Sequence, residues 1–444
     1  MRFLGGLLCA LFLTSVPLPA EDAGSSDSVL VLTLAGATDR ALEHSINLQK
    51  NRISLEEKEY ASKHLWAEVF PSIRASADIS YRTPLFTGPA AGSSPAQRFS
   101  YGTSVSLSLN LSAGIPSRIK LLGLAYQQQL LSYEDTRRLL EIATAQSFYT
   151  LAAERENLTQ LDETLGLAER QLERHRVGRA NGMISEMTLL QSQLAVETAR
   201  YNLSSAQASY SNSLGDFLSS LGLSPETPVS LEGEFEIRRI ELDPEELIRD
   251  YLPRRPDIEQ QRRVIEELEL TKRQRVLEAR APSIAFSFNW SGGSGNTGIT
   301  GPFTDTISGT ASLSIPVNSW IPGTTESQTL RAAENNIEKA LLDLKNTQDA
   351  AAGQIRSLTA NLRNSWESLE IARLREQIAR RSYELTERGF LNGTVESLAL
   401  ETNRNNLADA RLQLLQSEVR YQNLVLDLAR AVNVDWRQLT RSEP

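Results

Sequence analysis

The same punctuation recurs along this chain at one fixed offset. Pro71-Ser72-Ile73 returns as Pro282-Ser283-Ile284, Gly178 as Gly389, Asn181-Gly182 as Asn392-Gly393 and Tyr210 as Tyr421, each 211 positions later. Self-similarity at constant spacing means that one structural unit is used twice, and each copy is half of a single machine. The boundaries that follow are a signal peptide over 1–20, a first repeat over 21–224, an inter-repeat equatorial segment over 225–245 and a second repeat over 246–444.

No proline lies between Pro116 and Pro225, or between Pro322 and Pro444. Proline inside a helix costs ~3 kcal/mol, so two such stretches point to long helices. Each is interrupted once, at Gly178 to Gly182 and at Gly389 to Gly393, where glycine and asparagine supply the positive φ that a turn between antiparallel helices needs. Two helical hairpins are expected, over about 118–222 and about 325–433. Their returning arms carry heptads: Leu407, Leu414, Tyr421 and Leu428 beside Ala410, Ser417, Leu424 and Ala431. The first copy has Val196, Leu203, Tyr210 and Phe217 beside Ala199, Ala206, Ser213 and Ser220. One bulky and one mostly small column permit close coiled-coil packing. Arms of this length are rods of ~60 to 90 Å at ~1.5 Å per residue.

Ahead of each hairpin the period drops to two. Ile73, Ala75, Ala77, Ile79 and Tyr81 alternate with polar or small residues, as do Val105, Leu107, Leu109 and Leu111; the second copy repeats this at Ile284, Phe286, Phe288 and Trp290 and at Ala311, Leu313 and Ile315. Four strands are expected, over about 72–82, 103–112, 283–291 and 309–316, with Gly-, Pro- and Ser-rich loops from Arg82 to Ser100 and from Ser291 to Ser308. Such strands suit a membrane barrel, apolar toward lipid and polar toward a lumen. The first twenty residues, with Arg2, an apolar run from Phe3 to Leu13 and Ala20 before Glu21, read as a secretory signal that would also remove the single cysteine, Cys9. The net charge of −9 argues against nucleic acid as a partner.

Four strands cannot close a barrel, and an open edge is not tolerated in lipid. Two chains would give eight strands, too narrow for a water channel, whereas three would give twelve. A homotrimer is the smallest assembly with a pore. The expected fold is mainly α with a small β part: two tandem repeats of long coiled-coil helices plus two strands each, trimerising into a 12-stranded outer-membrane β-barrel.

In order and punctuation the chain resembles the TolC family of outer-membrane efflux proteins. The residues that carry the likeness are Ala41-Leu42 through Phe70-Pro71-Ser72-Ile73, the parallel Arg255-Pro256-Asp257-Ile258 through Ala281-Pro282-Ser283-Ile284, and the segments Arg179 to Ser185 and Phe390 to Glu396. The resemblance implies a homotrimeric exit duct in the outer membrane, in contact with its lipid, whose 12-stranded barrel continues into a periplasmic α-helical tunnel that docks to a periplasmic adaptor and, through it, to an inner-membrane transporter of the RND, ABC or MFS type. It implies adaptor docking at the hairpin tips, through Asn181, Gly182, Ser185, Asn392, Gly393 and Thr394. The family's acidic constriction positions fall here on Ala399, Thr402 and Thr188, so any constriction would draw on these together with Glu186, Glu396 and Glu401.

No cofactor, metal site or catalytic residue is expected. The string Gly293-Ser294-Gly295-Asn296-Thr297-Gly298 lacks the helix start that a phosphate site requires, and His44, His64 and His175 have no partner at ligand spacing. The interval from Leu111 to Gly178 is one heptad shorter than that from Ile315 to Gly389, which would lengthen the second long arm by two turns. A different reading of the same features is a periplasmic coiled-coil tether whose strands form a soluble sheet.

Overall fold

The structure is a computed structural model that describes residues 30–81, 99–232, 237–294 and 302–436. The expected signal peptide with Cys9, most of the two strand-connecting loops and the stretch from Gly295 to Gly298 lie outside the described residues.

Each repeat runs short helix, strand pair, long helix and returning helix. In the first, β1 (Leu30–Thr33) leads into α1 (Leu34–His44) and α2 (Ile46–Lys63), then β2 (Ser72–Tyr81), β3 (Phe99–Leu111), α3 (Ile115–Ala180) and α4 (Glu186–Ser220). After β4 (Val229–Glu232), the second gives α5 (Pro244–Tyr251), α6 (Pro256–Arg280), β5 (Ser283–Gly293), β6 (Thr304–Ser314), α7 (Thr325–Leu391) and α8 (Ser397–Val432). The long helices α3 and α7 have 66 and 67 residues, about 100 Å of rod each. Pro116 sits in the first turn of α3, where its missing N–H costs nothing.

The extra heptad is not in the helix. α7 exceeds α3 by one residue, and the added residues lie in the connection from β6 to α7, residues 315–324, against only 112–114 in the first copy. The rods match because both must reach the same level. β5 and β6 also extend further into the glycine-rich segment than alternation alone suggests: Gly293 belongs to β5, and a Cβ there would lie 2.3 Å from the Tyr101 carbonyl on β3. Only glycine allows that approach.

The heptad columns are buried. Val196, Ala199, Leu203 and Phe217 of α4 pack on α3, and Leu407, Ala410, Tyr421, Leu428 and Ala431 of α8 pack on α7. Around the middle of the rods α1, β1 and β4 form one apolar core with α3 and α4, and α5 forms another with α7 and α8. Tyr421 fastens the inter-repeat chain: its hydroxyl accepts from the Ile240 N–H at 3.1 Å and donates to the Arg238 carbonyl at 2.9 Å. The returning helices end alike too, α4 at Gly222 (φ 72°) and α8 at its repeat mate Asn433 (φ 58°), both left-handed as a C-cap requires.

The glycines flanking each tip have different jobs. Gly182 and Gly393 take φ of 74° and 73°, while Gly178 and Gly389 stay inside their helices. Their N–H and C=O groups complete the same cap: Met183 N–H bonds the Gly178 carbonyl at 2.8 Å and Gly182 N–H the Arg179 carbonyl at 3.0 Å, matched by Thr394 to Gly389 at 2.9 Å and Gly393 to Phe390 at 3.0 Å. A Cβ on Gly178 would stand 2.6 Å from Ile184 Cγ1, and one on Gly389 2.6 Å from Val395 Cγ2. The expected positive φ at Gly178 is therefore replaced by close packing. Gly178→Val should weaken the hairpin end by about 1–3 kcal/mol through overpacking. Gly123→Ala, with nothing within 4 Å of the added carbon, should be neutral or stabilising by up to ~1 kcal/mol. Hydrogen exchange of the amides flanking each site reads both, and protection unchanged by Gly178→Val would refute the packing role.

Candidate functional site: two open edges and a pair of tips

The four long strands form one antiparallel sheet in the order β2-β3-β5-β6. Register puts all apolar columns on one face: Ile73 opposite Leu107, Leu107 opposite Phe288, Val105 opposite Trp290, and Ile284 opposite Leu313. The other face is a ladder of serines, with Ser72 bonded to Ser108, Ser76 to Ser104 and Ser80 to Ser100 at 2.7 to 2.8 Å. Among the described residues no element covers the apolar face; Ile79 is 78% exposed and Leu313 67%. A water-soluble sheet buries such a face, so the tether reading loses its sheet. β2 and β6, one from each repeat, are left as edges.

The helices repeat this arrangement. Near the strands the wall runs α2, α3, α6, α7; beyond the middle it runs α4, α3, α8, α7. Its edge helices carry exposed apolar stripes. α4 exposes Met187, Leu190, Leu194 and Tyr201, α7 exposes Ile371, Leu374, Ile378 and Leu385, and both sets step by three, four and seven. Such spacing suits a coiled-coil seam, and among the described residues nothing in the chain covers it. α2 adds Ile46, Ile53 and Tyr60 at sevens. Because α4 runs away from the tips and α7 toward them, one chain's α4 fits antiparallel against another's α7. These stripes were legible as heptads on the second face of each helix, but the buried seam masks them. Since burying each apolar side chain is worth ~1.5–3 kcal/mol, Leu194→Glu and Ile378→Glu should each abolish a heat-modifiable trimer on electrophoresis. Met183→Glu, 79% exposed but off both stripes, should keep it.

At the tips the sequence-predicted residues separate into two kinds. Asn181 and Asn392 are helix C-caps, Gly182 and Gly393 the left-handed turns, and all four are exposed. Ser185 is the N-cap of α4, its Oγ accepting from the Thr188 N–H at 3.1 Å and bonding Thr188 Oγ1 at 2.8 Å. Glu396, the repeat mate of Ser185, caps α8 without a side-chain bond, and Thr394 Oγ1 donates to the Gly389 carbonyl at 3.0 Å. Glu186 sits 3.7 Å from Arg179 across the turn. Glu401 and Thr402 line the groove between α4 and α8 with Leu194, Leu398 and Arg404, and Ala399 lies in the first turn of α8.

The seam between the two hairpins changes character along its length. Near the collar it is apolar, with Phe148 and Leu151 of α3 clustered with Leu426 of α8. Toward the tips it becomes ionic. Glu376 of α7, 8% exposed, accepts from Arg380 at 2.6 Å and lies 3.8 Å from Arg411 of α8, which reaches Glu163 of α3 at 3.4 Å. Sequence reading misses this network, because Glu376 and Arg380 look like any solvated pair one helical turn apart. His175, buried in α3, bonds Ser192 of α4 through Nδ1. Ser192 Oγ already donates to the Thr188 carbonyl at 3.0 Å, so the imidazole is the donor. Burial holds the His175 pKa below its ordinary value, against an opposing pull from Glu401 of α8 and aided by Arg174. A base with a depressed folded pKa binds fewer protons folded than unfolded, so its contribution to stability is complete above about pH 6.5 and is lost as pH falls. Amide protection around residues 175 and 192, taken relative to the intrinsic exchange rate at each pH, should fall between pH 7.5 and 5.5, and His175→Gln should flatten that dependence; an unaltered profile in the variant would refute it.

Among the described residues no group of side chains has metal-ligand geometry, and no helix is long and apolar enough to cross a membrane. The outer membrane efflux protein family matches the chain over 37–223 and again over 247–434, one match for each repeat. No curated relative matches at the sequence level. Among solved structures, the CusC channel is 14% identical at a TM-score of 0.71, covering 90% of this chain and 92% of its own. The CmeC outer membrane channel of Campylobacter jejuni is 18% identical at 0.71, covering 91% and 88%. The open state of the Neisseria gonorrhoeae MtrE outer membrane channel is 14% identical at 0.69, covering 90% and 89%. Sheet, rods and tandem repeat thus coincide with one architecture, and the chain belongs to the outer membrane efflux protein family as an outer-membrane efflux channel with a periplasmic helical tunnel.

Proposed function

We propose that three copies of this chain share one cylinder and form the passive exit duct of a tripartite efflux or secretion system. The observation that supports this is that the same molecule ends in open edges twice, at β2 and β6 in the sheet and at α4 and α7 in the rods, with complementary direction in both. An even number of strands per chain lets β6 of one protomer meet β2 of the next antiparallel, so three copies close into twelve strands. The serine-lined face then bounds a lumen and the apolar face meets outer-membrane lipid.

The tips are the free ends of the rods and take a periplasmic adaptor, which links the duct to an inner-membrane transporter. Asn181, Gly182, Ser185, Asn392, Gly393 and Thr394 shape the docking end, the asparagines and glycines through exposed backbone and Ser185 by holding the first turn of α4. Glu186, Thr188, Glu396, Ala399, Glu401 and Thr402 border the passage there. The duct itself does no catalysis; cargo moves down a water-filled path under the work of the transporter.

Replacing Gly182 or Gly393 by valine forces a β-branched residue into a left-handed turn. Export from cells should fall to the level of a null strain while the trimer still forms and conducts in a planar bilayer. Full export by both variants would remove the tips from the docking role, and absence of conductance in the unaltered protein would remove the pore.

A further inference from the structure

Among the described residues two side chains of full charge are buried in the rods, Glu376 and Arg404, and only one of them is paired. Glu376 has Arg380 and Arg411 beside it. Arg404, on α8 and 8% exposed, has no carboxylate within ion-pair reach among the described residues, and its Nε is buried without an acceptor. Keeping a guanidinium out of water with no counter-charge is costly, and an acceptor from outside the chain would remove that cost.

Arg404 lines a groove of about 410 Å³ between α4 and α8, with Thr164 of α3 on its floor. Gln191 and Asn202 of α4 and Asn405 of α8 bring carboxamides to the same groove, and Glu401 is the one carboxylate among its lining residues. A guanidinium fork with carboxamide N–H groups around it is a donor set that suits an oxyanion. The groove opens away from the collar. Arg155 of α3 donates to the Leu231 carbonyl of β4, and Thr164 lies nine residues further on, about two and a half turns, which points it to the opposite side. A collar inside the cylinder would fill the passage, so the collar is outside and the groove is on the inner wall. Arg404 is eleven residues beyond Gly393, ~15 Å from the tips, and three copies set three guanidinium groups around the passage at that level.

We propose that this groove binds oxyanions on the inner wall of the duct. Arg404 pairs with a phosphate or carboxylate group of an anionic cargo, the carboxamides complete its hydrogen bonds, and Glu401 shortens its stay by repulsion. A weak site suits a passage, because cargo must leave as well as enter. The proposal rests on the shared-cylinder reading, since only the closed ring makes this groove line a passage.

Current through single trimers in planar bilayers, in potassium chloride at neutral pH, tests it while sodium phosphate is added on the side of the tips and sodium chloride of equal ionic strength serves as the control. Phosphate should lower the current of the unaltered channel. Arg404→Gln should raise the half-blocking concentration about tenfold, as expected for the loss of one hydrogen-bonded charge. Arg404→Lys should raise it less, since lysine keeps the charge and lacks the fork, and Glu401→Gln should lower it. A channel that conducts without responding to phosphate, or an Arg404→Gln channel blocked as readily as the unaltered one, overturns the site and leaves the duct standing. A conductance that Glu401→Gln changes with no phosphate response overturns it too, because Arg404 is then paired with Glu401 of a neighbouring copy. No conductance at all removes the duct and this site with it. Should Arg404→Gln not assemble, Arg404→Lys decides: a weaker block supports the site and an equal block overturns it.

Discussion

Backbone N–H and C=O groups along an unpaired strand edge cost several kcal/mol each in hydrocarbon, because no water is there to satisfy them. This chain makes four long strands and leaves β2 and β6 unpaired, so its sheet can exist in a membrane only as part of a larger ring. The rest of the structure follows from that requirement. The rods must sit at the spacing the ring imposes, and their outer helices must present seams to neighbours, as α4 and α7 do with matching steps of three, four and seven. The collar of α1, α5, β1 and β4 then fixes the two hairpins of one chain to each other where their apolar cores lie.

Duplication supplies most of this geometry. Each repeat yields one strand pair and one hairpin, with the same cap at the tip and the same left-handed residue closing the returning helix at Gly222 and Asn433. Where the copies diverge, the differences cluster at the ends. Ser185 caps α4 through its hydroxyl while Glu396 caps α8 with no side-chain bond, and the strand-to-helix connection is 315–324 in the second copy against 112–114 in the first. The middle is conservative because both rods must span one distance, whereas the ends meet different surroundings.

Much of the fold was legible in the sequence because it rests on periodicity: alternation fixed the faces of the strands, sevens fixed the buried seams, and glycine with asparagine marked the turns. Other features depend on which face meets which neighbour, and one chain's pattern does not encode that. Gly178 and Gly389 read as turn residues, but they are sites where Ile184 and Val395 fold back onto a helix. The added heptad read as helix length, since Ile315 and Val317 continue the apolar column of the strand and spacing alone does not say which element takes the extra residues. Glu376, Arg411 and Glu163 looked like solvated charges because their contact runs between three helices far apart in sequence. Of the candidate tip residues, the glycines and asparagines could be placed from their types alone, and the capping role of Ser185 follows from its position before α4.

Native mass spectrometry of the detergent-extracted protein addresses the shared cylinder most directly. Three chains in one particle, with the strand amides of β2 and β6 protected from hydrogen exchange, is the result the open edges predict. A stable single chain of about 49.2 kDa or less whose sheet stays folded and protected would contradict it.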